Sequence, residues 1–235
     1  MRRPRLLDLF CCGGGASWGY HEAGFDVVGV DIEPQPNYPF DFIQADATTF
    51  PLDGFDAGAG SPPCQGYTPL NAYNHLAYPD LVALTRARFE AAGLPYVIEN
   101  VPQAPMPLAD TLDGARAVVL CGPMFGLKVY RERVFELGGG AYVSQPPHRD
   151  HVWLCARNGY LPTAARPFMS IHGGKHSRAW QKAAAECLGT PWLIAGPGAD
   201  ALTAGIREVC EAIPPAYTEY VGRSLVAAIE AGEAV

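Results

Sequence analysis

Apolar residues along the chain fall into short runs broken by glycine, proline and acidic residues. That is the pattern of strands buried in a sheet, not of an all-helical protein. The first run covers residues 5–10 and leads into Cys11-Cys12-Gly13-Gly14-Gly15, then a helix to about Ala23 that ends at Gly24. Further strands are predicted over 25–30, ending in Asp31, over 40–44, followed by Asp46, and over 55–60. A helix is predicted over 79–92, with Leu81, Leu84, Thr85, Phe89 and Ala92 inward. Strands follow over 96–98, running into Glu99, then over 117–121 and 129–137. Strand, glycine turn and helix in this order predict an α/β fold with a Rossmann-like sheet.

Beyond residue 137 the texture changes. Gly138-Gly139-Gly140 reads as a linker, and repeated proline and glycine predict a small loop-rich unit over 138–205, with one short helix over 177–188. Order returns after Pro214-Pro215. Tyr217, Tyr220, Val221, Ser224, Leu225, Ala228 and Ile229 make a helical stripe that packs back on the first unit. The expected division is therefore 1–137 plus 206–235, with 138–205 as the second unit. The polar, aromatic stretch over 66–78 is long for a loop in a compact domain and reads as functional.

Composition narrows the class. At 235 residues and 49% hydrophobic content, the chain can form a sizeable core, and no apolar run reaches membrane-spanning length. Seven cysteines without regular spacing fit reduced thiols, and the start of the chain does not read as a signal peptide, so a cytoplasmic monomer is expected. The net charge of −7 argues against a protein that coats nucleic acid indiscriminately. Between residues 145 and 182, however, six basic residues meet one acid. That segment is +5, which leaves −12 elsewhere, and it reads as a local polyanion contact or as a solvated loop. His148, His151, His172 and His176 with Cys155 match no metal-ligand spacing, so no metal is expected.

The candidate chemistry sits at strand ends. Ser61-Pro62-Pro63-Cys64-Gln65 puts a cysteine on a stiff proline corner, a good place for a nucleophile and equally possible for an ordinary turn cysteine. Glu99 ends a buried strand, where desolvation raises a carboxyl's pKa toward neutrality. Arg131 and Arg133 alternate, so they share a face and read as ligand contacts or surface charge. Asp31, with Glu33 as competitor, is placed for ribose hydroxyls, and Asp46 for an adenine amino group.

Taken together, Asp8-Leu9-Phe10-Cys11-Cys12-Gly13-Gly14-Gly15, Pro63-Cys64-Gln65, Glu99-Asn100-Val101, Arg131-Glu132-Arg133, and Ile213-Pro214-Pro215-Ala216-Tyr217 through Gly222-Arg223-Ser224-Leu225 resemble, in order, the motifs of DNA cytosine-C5 methyltransferases. The resemblance implies an S-adenosylmethionine-dependent methyltransferase sheet with 138–205 as target-recognition unit, S-adenosylmethionine as cofactor and DNA as partner. It implies Cys64 as nucleophile on cytosine C6, Glu99 as acid toward N3, Arg133 on O2 and Arg131 as orienter. Pro63, Gln65, Thr68 and Asn100 would meet the substrate, with 66–78 as lid over a flipped base. Phe10, Gly14, Gly15, Asp31, Ile32, Asp46, Arg223 and Ser224 would meet the cofactor.

Three departures stand out. Cys12 replaces a common glycine, Val129 a common glutamine, and Arg223 stands where the last motif usually offers asparagine beside the cofactor. A cation beside a sulfonium is unfavourable, which raises the alternative of a donor with an extra carboxylate, carboxy-S-adenosylmethionine, and a carboxymethylated base. A tRNA cytosine methyltransferase, an inactive nucleic-acid-binding relative and a nicotinamide dehydrogenase are the competing readings. The last leaves Cys64, Glu99 and the arginine pair unexplained.

Overall fold

The computed structural model describes residues 2–67, 78–107, 117–148, 150–151, 154–157, 159–194 and 199–233. Seven strands form one sheet: β1 (Arg5–Leu9), β2 (Asp26–Asp31), β3 (Asp41–Gln44), β4 (Ala57–Gly60), β5 (Tyr96–Asn100), β6 (Ala117–Leu120) and β7 (Arg133–Gly138). The helices are α1 (Gly15–Ala23), α2 (Leu81–Ala92), α3 (Arg178–Leu188), α4 (Ala199–Glu211) and α5 (Pro215–Glu233). The strand order is β3-β2-β1-β4-β5-β7-β6, parallel from β3 to β5, with β7 antiparallel to both neighbours. The chain reverses its direction across the sheet between β1 and β4. In such sheets this point opens a crevice at the carboxyl ends of the strands.

Alternation along the strands divides the core into two layers. Leu6, Ala57, Ala59, Val97 and Phe135 face α1 and α5, where Tyr20, Tyr217, Val221 and Leu225 are buried. Leu7, Leu9, Val30, Ile98 and Val134 face the other way, with Val82 and Phe89 of α2. Two close approaches need glycine. A Cβ on Gly58 would stand 2.3 Å from the Phe89 ring, and one on Gly19 would stand 2.0 Å from the Pro215 carbonyl oxygen. Helices α1 and α5 are therefore in backbone contact, and Thr218 Oγ1 donates to the Ala16 carbonyl at 2.8 Å.

The structure revises four expectations. In α2 the buried face is Val82, Thr85 and Phe89, while Leu84 is exposed and Leu81 only half-buried. The helix starts two residues later than Pro79, capped by Asp80. The strand expected over 129–137 begins only at Arg133, because Val129 bridges to Met169 and the Tyr130 amide donates to the Met169 carbonyl. The loop-rich unit holds a second helix, α4. Finally, the expected boundary at 205/206 falls inside α4, since Ile206 and Val209 pack as one stripe with Trp180, Leu188 and Leu193. No helix among the described residues is long and apolar enough to cross a membrane.

Candidate active site

A crevice of about 360 Å³ opens at the carboxyl ends of β1, β2, β4 and β5. Phe10, Asp31, Ile32, Pro63, Cys64, Gln65, Glu99, Arg131 and Arg133, all expected site residues, line it together. Cys12, Glu33, Gln35, Arg207, Cys210, Glu211 and Ile213 complete its walls.

At one end lie the residues expected to react, Cys64, Glu99, Arg131 and Arg133. Glu99, at the end of β5, is buried and ion-paired with Arg133 Nε at 3.1 Å. Burial pushes its carboxyl above the usual range, and Arg133, Arg131 and the Ser61 hydroxyl draw it part of the way back. Burial and then the Glu99 charge push the Cys64 thiol up, against the pull of Arg133 and Arg131. The proline corner carrying Cys64 is tied to β5, because Asn100 Nδ2 donates to the buried Pro62 carbonyl at 2.8 Å while its Oδ1 accepts from the Val101 amide. Asn100 thus lies behind the crevice, not in it. Arg131 Nη2 donates to the Cys210 carbonyl at 2.7 Å. Its buried Nε has no hydrogen-bond partner among the described residues. Burial, with Arg133 adding repulsion, lowers the Arg131 guanidinium to about 9, so it stays charged at neutral pH.

At the other end lies an acidic, partly apolar set. Both Asp31 oxygens accept backbone bonds, from the Cys12 and Glu33 amides at 3.0 Å each, which fixes the turn after β1 against the end of β2. Phe10 and Cys12 in that turn have φ of 61° and 45°, the left-handed region that costs a non-glycine residue about 1–2 kcal/mol. Ile32, 66% exposed, and Phe10 offer apolar surface at the rim. Arg207 Nε pairs with Glu211 Oε1 at 3.1 Å within α4.

Several expected site residues lie elsewhere. Arg223 is exposed on α5 and pairs with Glu219 at 2.5 Å. With Ser224 it borders a separate hollow beside Tyr142 and Tyr220. The reason is helical length: α5 begins at Pro215, so Arg223 stands about 12 Å along its axis. The argument for a carboxylated donor rested on Arg223 and falls with it. Gly14 and Gly15 do not line the crevice. Added Cβ atoms there would meet Pro39 Cδ and the Ile213 carbonyl oxygen, each at 2.6 Å, so packing of the turn accounts for both glycines. Asp46 is exposed, and its Oδ1 accepts from the Thr48 amide and hydroxyl at 2.8 and 2.7 Å. Thr68 and most of the expected lid, 68–77, lie outside the described residues.

Arg207 and Glu211 were the residues sequence reasoning missed. The signal was present, since Leu202, Ile206, Val209 and Ile213 repeat at helical spacing, but Gly196-Pro197-Gly198 reads as a continuing loop.

No protein-family model matches the sequence, and no curated protein is similar to it. Among solved structures, a protein assigned as a prophage-encoded DNA modification methyltransferase of E. coli superposes with a TM-score of 0.62 at 16% identity, covering 97% of this chain and 99% of that one. A Spodoptera frugiperda DNMT2 variant gives 0.62 at 11% identity over 95% and 99% of the two chains. An Entamoeba histolytica methyltransferase, EhMeth, gives 0.61 at 10% identity over 99% of both. The chain therefore has the Rossmann-like methyltransferase fold of these proteins across nearly its whole length and theirs.

Proposed function

We propose that this protein is an S-adenosylmethionine-dependent DNA cytosine-C5 methyltransferase. The observation that carries the reading is the meeting of Cys64 with the buried Glu99–Arg133 pair in a crevice whose far end is acidic and apolar. The far end suits a cationic nucleoside. Phe10 and Ile32 offer faces for an adenine, Asp31 and Glu33 would accept from ribose hydroxyls, and Asp31, Glu33 and Glu211 outweigh Arg207 in charge. When bound, the cofactor supplies a methyl group activated by a sulfonium.

The chain's own residues do the rest. The Cys64 thiol gives its proton to solvent and its sulfur bonds to cytosine C6, while Glu99 gives a proton to N3, so the electron pair of the C5–C6 bond becomes available at C5. Arg133 stabilises charge at O2, and the unpartnered Arg131 Nε is a donor for a second polar atom of the substrate. After C5 is methylated, its proton passes to a base, the C6–sulfur bond breaks and Glu99 recovers its proton. The target carbon is covered inside a duplex, so the base has to leave the stack.

The test is methyl transfer from labelled S-adenosylmethionine to duplex DNA and to tRNA, with mass spectrometry of the product nucleosides. The expected product is 5-methylcytosine in DNA, with Cys64→Ala lower by roughly 10⁴-fold or more. Methylation of tRNA alone would move the substrate to RNA, and transfer unchanged in Cys64→Ala would end the proposal.

A further inference from the structure

Outside the crevice a second cluster converges at the edge of the sheet. Cys121 follows β6 directly, and continuing the β6–β7 register, in which Leu120 faces Arg133, sets it opposite Glu132. The segment after β7 returns along this edge. Gln145 caps β6 with its amide, accepting from the Val119 amide at 2.8 Å and donating to the Val119 carbonyl at 2.7 Å. That path brings His148 and His151 over Cys121. Cys121 Sγ lies 3.4 Å from His151 Nε2, which lies 3.2 Å from His148 Nε2, and the three atoms all fall within 4.8 Å of one another. Glu132 Oε1 stands 3.7 and 4.0 Å from the two imidazole nitrogens. The His151 ring is held by stacking on Tyr130, with centroids 4.2 Å apart.

We infer that Cys121, His148 and His151 form a zinc site, with the Glu132 carboxylate as fourth ligand. Bonds of about 2.0–2.1 Å to nitrogen and 2.3 Å to sulfur in a tetrahedron set neighbouring donors roughly 3.3–3.6 Å apart. The Cys121–His151 and His148–His151 spacings of 3.4 and 3.2 Å match this, and the Glu132 carboxylate, 3.7 and 4.0 Å from the imidazoles, would swing inward to complete the set. One thiolate, two imidazoles and a carboxylate are a borderline-soft set that suits zinc over calcium or magnesium. With four protein ligands the site is closed and structural. It ties His148 and His151 to the sheet edge and fixes the backbone between Arg131 and Arg133. Of the histidines first considered with Cys155, two take no part: His172 Nε2 bonds Ser170 Oγ at 2.6 Å, and His176 Nε2 bonds the His172 carbonyl at 3.0 Å. The inference does not depend on the proposed reaction.

Untagged full-length protein, purified without chelator, is expected to carry one zinc per chain by elemental analysis. Cobalt substituted for it should give a thiolate charge-transfer band and tetrahedral ligand-field bands. Cys121→Ser and the exposed His148→Ala should lose the metal, while Cys155→Ser and His176→Ala should keep it. His148→Ala disturbs no buried group, so a folding failure of Cys121→Ser leaves the test intact. Zinc no higher than in His148→Ala, or no thiolate band with cobalt, would overturn the inference in favour of a hydrogen-bonded thiol and imidazole cluster. Metal that survives both ligand variants would do the same.

Discussion

Two glutamate–arginine pairs lie on opposite faces of the same neighbouring strands. Glu99 of β5 meets Arg133 of β7 on the face toward α1 and α5, in the crevice. Glu136 of β7 meets Arg86 of α2 on the other face. There Nε and Nη2 donate to its two oxygens at 2.6 and 2.7 Å. The second pair is complete: a two-pronged contact to a carboxylate only 2% exposed, between helix and sheet. The first is one-pronged, Arg133 Nε to Glu99 Oε1 at 3.1 Å with the Ser61 hydroxyl beside it, and burial leaves its carboxyl raised. The same two residue types hold a helix on the sheet in one place and line an open crevice with a raised carboxyl in the other. Completeness of pairing, not residue identity, separates the structural pair from the one proposed to do chemistry.

The comparison can be broken from either side. Glu99→Gln should cut methyl transfer by roughly 100- to 10,000-fold while changing unfolding free energy by less than about 1 kcal/mol, because Arg133 keeps the Glu132 carbonyl and faces the open crevice. A large loss of stability with activity kept would reverse the assignment. Arg86→Ala should cost about 3–5 kcal/mol in urea unfolding, since Glu136 is left buried without its cation. A loss within the scatter of surface substitutions would show the pair to be dispensable.

A third buried carboxyl, Asp8, has no cation among its hydrogen-bond partners and sharpens the comparison. Ser17 donates to its Oδ2, Oδ1 has no partner among the described residues, and burial pushes it up to about 7. The folded state then holds this proton more tightly than the unfolded chain. Asp8 therefore favours folding less as pH rises from about 4 to 7, by up to about 4 kcal/mol. Asp8→Asn should flatten that part of the stability profile, and parallel profiles would contradict the assignment. The smallest effect is at Cys64. Removing the Glu99 charge eases ionisation of the neighbouring thiol, so alkylation of Cys64 in Glu99→Gln should show its pH midpoint at a lower pH than in wild type. Arg133→Ala should move it higher.

The end holding Cys64 and Glu99 was legible because both lie at the carboxyl ends of parallel strands that the apolar runs already mark. Arg133 reaches them from the start of β7, whose antiparallel pairing with β5 sets it beside Glu99. The acidic end was less so. Arg207 and Glu211 come from a helix hidden behind a glycine–proline break, and Arg223 was misplaced because no sequence position shows how far a rigid helix carries it from its first turn. The Cys121–His148–His151 cluster has ligands from two segments 27 residues apart, joined only by the path along β6, so no spacing rule could reveal it. Asn100 was expected at the substrate. Its amide instead braces the corner that carries the nucleophile, a difference only the bond to the Pro62 carbonyl reveals.

The contact of α1 with α5 has a consequence for how the molecule comes into being. Thr218 reaches back 202 positions to the Ala16 carbonyl, and Gly19 lets the two helices touch. During synthesis α1 waits, its greasy side bare, until α5 has been made 202 positions later. One layer of the domain can close only after α5 has left the ribosome. A nascent chain stalled before Pro215 would thus leave Tyr20 and its neighbours open to chaperones, however well the strands had already aligned.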